Sequence, residues 1–160
     1  MAYGAFMADT KLQLKICGLI PAPGGVGVFL EAEGKVITIR VDHMVGQALQ
    51  LAVEGTVPPR PLTHNLLASV LGGLGVKVVQ VVIHDCREGT YYARLHLEQE
   101  NELGKSDLEV DSRPSDAMVL ALQHDARICM DRKIWEAAED MKWALDQMEG
   151  GASGEWKPGA

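Results

Sequence analysis

Val76-Lys77-Val78-Val79-Gln80-Val81-Val82-Ile83 is followed, across Arg87-Glu88-Gly89, by Tyr91-Tyr92-Ala93-Arg94-Leu95-His96-Leu97. The first run is nearly all β-branched, and such side chains pack well on a pleated surface. It reads as a strand buried on both faces. In the second run Leu95 and Leu97 alternate with Arg94 and His96, the period of a strand with one face in the core. A glycine-bearing turn between two such runs predicts an antiparallel hairpin.

Toward the N-terminus, Leu66, Leu67, Val70, Leu71 and Leu74 form one apolar stripe of a helix that ends among Gly72, Gly73 and Gly75. Pro58-Pro59-Arg60-Pro61 is a stiff connector before it. From Asp42, the residues Met44, Val45, Ala48, Leu49 and Ala52 recur at helical spacing, and Gly55 is the stop. Val26 to Leu30 and Val36 to Val41 read as strands turning at Glu33-Gly34. Leu12, Leu14 and Ile16 alternate with Lys11, Gln13 and Lys15 in a first strand, broken by Pro21-Ala22-Pro23-Gly24-Gly25.

Toward the C-terminus, Asn101 to Asp107 is a polar excursion before a short strand, Leu108-Glu109-Val110. A helix from Pro114 to about His124 carries Ala117-Met118-Val119-Leu120-Ala121-Leu122, which leaves almost no polar face, so it is buried. Ile128-Cys129-Met130 is a short strand. Ile134, Ala138, Met141, Leu145 and Met148 predict one last helix, ended by Gly150-Gly151. Strands and helices do not alternate regularly. The class is therefore α+β: a compact mixed β-sheet with packed helices, in a single domain over residues 11–148. Residues 1–10 read as a flexible N-terminus and 149–160 as a disordered tail.

The 160 residues, 47% hydrophobic and 23% charged, suit one globular domain that can bury roughly two-thirds of its unfolded surface. The net charge of −7 argues against a protein that holds nucleic acid by bulk phosphate neutralisation. Cys17, Cys86 and Cys129 are odd in number and far apart, which fits neither a disulfide framework nor a zinc ribbon. With no signal-peptide pattern and no run of about 18 apolar residues, a cytoplasmic protein without a membrane partner is expected.

Arg60-Pro61-Leu62-Thr63 and Arg113-Pro114-Ser115-Asp116 both place Arg-Pro at a helix start. Two readings of Asp111 to Asp116 stand side by side. Pro114 suits the first helical turn, and Ser115 and Asp116 can cap free N–H groups there. Capping leaves Arg113 and Asp111 unexplained. The other reading is an anion site: helix-start N–H groups favour phosphate, Arg113 offers a planar fork, and Asp111 and Asp116 can hold a divalent cation. Thr63 reads as the N-cap of the earlier helix, and His64 beside it titrates near neutrality and can serve as general base. A lone histidine there is more often structural, so His64 matters only if folding sets it beside the two aspartates.

Arg60-Pro61-Leu62-Thr63-His64-Asn65-Leu66-Leu67, Gly89-Thr90-Tyr91-Tyr92-Ala93-Arg94-Leu95 and Asp111 to Ala117 together resemble, in order, three sequence blocks of the bifunctional nuclease family, over about residues 11–146. The resemblance implies an α+β fold, a homodimer, and nuclease activity on DNA and RNA. No catalytic roles carry over with it. Two departures remove carboxylates that a metal site could use. Asn65 stands where the family has aspartate, and Thr38 to Gly46 replaces a block that carries a glutamate.

Two function classes follow. In the first, a phosphodiesterase, Asp111 and Asp116 bind Mg²⁺ or Mn²⁺, and His64 activates water. Arg60 and Arg113, with Thr63 and Ser115, then hold the substrate. In the second, the chain is a non-enzymatic dimeric module for a protein or small anionic ligand. Its dimer face is expected on the Val76–Ile83 strand or the last helix.

Overall fold

The computed structural model describes residues 10–151; of the terminus expected to be flexible over 1–10 and the tail expected to be disordered over 149–160, residues 1–9 and 152–160 lie outside the described residues, while the last helix runs on to Gly151. Three strands open the fold: β1 (Lys11–Ala22), β2 (Gly25–Ala32) and β3 (Lys35–Val41), paired as an antiparallel meander. Two helices follow, α1 (His43–Glu54) and α2 (Thr63–Gly73). Then come β4 (Val76–Arg87), β5 (Thr90–Asn101) and β6 (Gly104–Ser112), a second meander. The chain closes with α3 (Pro114–Gln123), β7 (Arg127–Asp131), α4 (Arg132–Ala137) and α5 (Lys142–Gly151).

All seven strands form one mixed sheet in the order β3-β2-β1-β7-β4-β5-β6. Strand β7 is inserted between the two meanders, parallel to β4 and antiparallel to β1. The α+β class and the hairpin at Arg87-Glu88-Gly89 are as the residue pattern predicts. Glu33 and Gly34 (φ 48° and 78°) and Glu88 and Gly89 (φ 49° and 78°) both take left-handed backbone, which matches the twist of a two-residue hairpin.

The core lies between the sheet and its helices. Met118, Val119 and Ala121 of α3 are fully buried together with Val81 and Ile83 of β4 and Ala93 of β5. Burying a side chain such as Met118 or Leu120 stabilises by about 1.5–3 kcal/mol relative to leaving it in water. Close approach of α1 to the meander rests on Gly46, where an added Cβ would fall 2.5 Å from Val26 Cγ2.

Several expectations change. Strand β1 runs through Pro21 and turns only at Pro23-Gly24; β7 flanks it over Lys11–Leu14 alone, so Pro21 lies where no ladder bond is needed on that side. The polar stretch Asn101 to Asp107 is hairpin, not loop: Asn101 pairs Gly104 and Glu98 pairs Asp107. Apolar alternation is missing there because β6 is an exposed edge strand held by backbone bonds and by Lys105 on Glu98.

The last helix is two helices. Asp140 Oδ1 accepts from Val36 N and Lys142 N, and Met141 N donates to Val36 O, so the break docks on the β3 edge. In β4 only Val81 to Ile83 is buried throughout; Val79 is exposed beside a bulge. No residue of α2 is fully buried: Ala68 and Leu71 pack partly against the core, while Leu66, Leu67 and Val70 of its stripe are exposed.

Candidate functional site

The two Arg-Pro starts meet. Pro114 opens α3 with its fixed φ suited to the first turn, and Arg113 is the N-cap residue before it. From that position Arg113 Nε donates to Asp116 Oδ2 at 2.7 Å, one turn ahead. Asp116 Oδ1 lies 2.9 Å from His64 Nε2 on the first turn of α2, a contact across 52 residues of chain. An ionised carboxylate only accepts, so Nε2 carries the hydrogen and Nδ1 is left as the basic nitrogen. Arg113 Nη1 reaches Asp42 Oδ2 at 3.4 Å, and Asp42 Oδ1 accepts from Val45 N as the N-cap of α1.

The cluster His64–Asp116–Arg113–Asp42 thus ties together the first turns of three helices, whose N-termini all favour negative charge. Burial works against ionising Asp116, but hydrogen bonds from Arg113 and His64 outweigh it and hold its carboxyl below the usual range. Asp42 is lowered chiefly by the Val45 N–H, against desolvation, with Arg113 adding to the lowering. The Arg113 guanidinium is raised, chiefly by its bond to Asp116. Around pH 7 the cluster holds two carboxylates bridged by one guanidinium, with a half-buried imidazole at one end.

Two clefts flank Arg113. The first, about 800 Å³, is lined by Asp42, Thr63, His64, Leu67, Arg113 and Asp116 among others. The second, about 420 Å³, shares Asp42 and Arg113 and adds Thr38, Arg40, Thr90 and Ser115. His64, Asp116, Arg113 and Thr63 are therefore brought together, and Ser115 lies one cleft over. Asp111 is an exposed residue of β6 opposite Arg94, and it lines neither cleft; Arg60 is also exposed and lines neither.

Capping works differently from the expectation. Leu62, not Thr63, is the N-cap of α2, and its N–H is taken by Asn65 Oδ1 at 2.9 Å. No side chain caps α3, because Asp116 is turned to Arg113 and His64 instead. Asp42 was missed as a site residue. It stands just before the apolar stripe of α1, where nothing local pointed to Arg113.

Asp116 and Asp42 are the carboxylates at the first cleft that could take part in holding a divalent cation. Among the described residues no three His, Cys, Asp or Glu side chains converge. Each oxygen of Asp116 and of Asp42 accepts one hydrogen bond, so a cation there would share these carboxylates with Arg113, His64 and Val45 N.

No helix among the described residues is long and apolar enough to cross a membrane. The family model described as the bifunctional nuclease domain matches residues 28–142. An uncharacterized protein of Mycobacterium tuberculosis (strain CDC 1551 / Oshkosh) is 32% identical over 126 residues, covering 76% of this chain and 73% of its own. A protein from a second strain of the same species, also described as uncharacterized, matches with the same identity and coverage.

Proposed function

Since the chain belongs to the bifunctional nuclease domain family, we propose that it hydrolyses phosphodiester bonds of DNA or RNA in the first cleft. The observation that carries this reading is the 2.9 Å bond between His64 and Asp116, with Arg113 on the other carboxylate oxygen. Asp116 orients the ring through Nε2. Nδ1 accepts a proton from the attacking water as its oxygen bonds to phosphorus and the phosphorus–oxygen bond to the leaving group breaks. Arg113 has two N–H groups on carboxylates and the rest of its fork for the charged phosphate oxygens. Thr63 contacts the substrate from the cleft wall, and Arg60, just before α2, approaches its phosphates from outside.

Mg²⁺ or Mn²⁺ on Asp111 and Asp116 is the variable of the test rather than part of this scheme. Purified protein is assayed on labelled single-stranded RNA and on plasmid DNA, with Mg²⁺, Mn²⁺ or chelator, beside His64→Ala. The expected outcome is cleavage lowered about 100-fold or more in the variant, the range for loss of a general base. Equal cleavage by both preparations would remove His64 from the chemistry. Cleavage abolished by chelator in wild type would bring the metal-assisted version forward.

A second reading is favoured by α2, where Leu66, Leu67, Val70 and Leu74 are all exposed. Clustered apolar surface of this kind marks an interaction face. On that reading the chain is a cytoplasmic homodimer joined through α2, and the clefts bind a protein or small anion without cleaving it. Absence of cleavage in every condition would make this the working answer.

A further inference from the structure

We infer that the second cleft is a phosphate-binding subsite, which takes the phosphodiester next to the one held at His64 and Asp116. The inference deepens the nuclease reading and rests on it only for the identity of the chain that supplies the phosphate. Six observations lead there.

The cleft opens at the N-terminus of α3, a ten-residue helix, where free N–H groups and the helix dipole favour an anion. Ser115, in the first turn, lines the cleft and is the buried polar residue of the described chain, 7% exposed. Its hydroxyl makes no hydrogen bond to another described residue. The residue is buried but its hydroxyl oxygen is not sealed in, so it is open to a partner in the cleft.

Arg40 brings the charge. It extends from β3 into the lining of the cleft, and its guanidinium lies over the Pro23-Gly24 turn, where a Cβ added to Gly24 would come within 3.3 Å of Nη2. Arg40 forms no ion pair among the described residues, whereas Arg87, Arg94 and Arg113 are each on a carboxylate. In a chain of net charge −7, an arginine left without a carboxylate, lining the same cleft as the open Ser115 hydroxyl, is suited to an external anion.

Thr38 and Thr90 add hydroxyl donors to the same walls. Asp42 also lines the cleft, but its two oxygens are already occupied by Val45 N and Arg113. The volume, about 420 Å³, lies at the small end of ligand pockets and suits a phosphate with part of a nucleoside. Because both clefts share Arg113 and Asp42, a strand leaving the first cleft enters the second across that wall.

The test is an NMR titration of the full chain with inorganic phosphate, followed at the backbone amides, with three variants alongside. Wild type is expected to show saturable shifts at Ser115 and Thr90. Arg40→Gln weakens binding about tenfold, Arg40→Lys falls between because it keeps charge but loses the fork, and Arg94→Gln, on Glu109 and outside both clefts, binds like wild type. Absence of saturable shifts, or equal binding by Arg40→Gln and wild type, overturns the inference. Shifts confined to Thr63 and His64 overturn it too, while leaving the nuclease reading intact.

A second arm uses His64→Ala with a dinucleotide bearing one phosphodiester and a trinucleotide bearing two. The trinucleotide is expected to bind about tenfold tighter, and that advantage disappears in the His64→Ala, Arg40→Gln double variant. Length-independent binding counts against the subsite. Retained phosphate binding in a protein that cleaves nothing supports the subsite and removes the nuclease.

Discussion

Helices α2 and α3 both follow an Arg-Pro pair, and they meet the rest of the molecule in opposite ways. In α3 the proline is inside the first turn, the arginine is held between two carboxylates, and the body of the helix is buried against β4, β5 and β7. In α2 the proline lies ahead of the N-cap, Arg60 is exposed, and Leu66 and Leu67 face outward while Leu71 packs partly against the core. Apolar periodicity is stronger evidence for a helix than for where its apolar face goes. An all-round apolar helix such as Ala117 to Leu122 has one destination, whereas a striped helix can pack on its own sheet or wait for a partner.

The largest effect expected from this contrast is on stability. Leu120→Ala should cost about 2–5 kcal/mol by urea denaturation, since it opens a cavity in a fully packed place, while Leu66→Ala should stay within about 0.5 kcal/mol for the monomer. Comparable losses at both positions would dissolve the distinction between a core helix and a surface helix.

Next comes the α2 face itself. Leu66→Asp combined with Val70→Asp should convert a dimer to monomer in sedimentation velocity at micromolar concentration, with the circular dichroism spectrum unchanged. A wild-type protein already monomeric under those conditions would break the dimer proposal.

A smaller effect separates the helix starts by pH. The folded Asp116 carboxyl is depressed, so its contribution to stability is complete above the unfolded value, near 3.8, and is lost as pH falls through the lower folded value. Wild type should therefore lose stability more steeply below about pH 4 than Asp116→Asn does. Parallel profiles would mean that the Arg113 and His64 bonds do not tune this group. The smallest effect belongs to Arg60→Ala, which should leave stability within about 0.5 kcal/mol, because the exposed Arg60 has no ion pair among the described residues.

Much of the fold was legible because it is governed by local rules. Glu33-Gly34 and Glu88-Gly89 announced two hairpins, Gly55 ended α1, and the uninterrupted apolar run after Pro114 announced a buried helix. The misreadings fall where the reason is not local. The polar residues of β6 were read as a loop because an edge strand needs no apolar face. The break at Ala138 to Met141 was invisible because its partner, Val36, is more than one hundred residues away. At the site, His64, Asp116 and Arg113 were recognisable as residue types at helix starts. Asp42 and Arg40 were not, since a capping aspartate and a strand arginine look the same whether or not a cleft lies beside them.

The sequence by itself determined the α+β class, the positions of the turns, the burial of α3, and a short set of residues able to do chemistry. Each of these depends on neighbours within a turn or a strand, where backbone geometry dictates which side chains share a face. Only the tertiary structure decided that His64 touches Asp116, that Arg113 is shared between Asp116 and Asp42, and that two clefts lie on either side of it. Those contacts join helix starts separated by tens of residues. Their distances are set by how α1, α2 and α3 stack on the sheet, which no local pattern encodes.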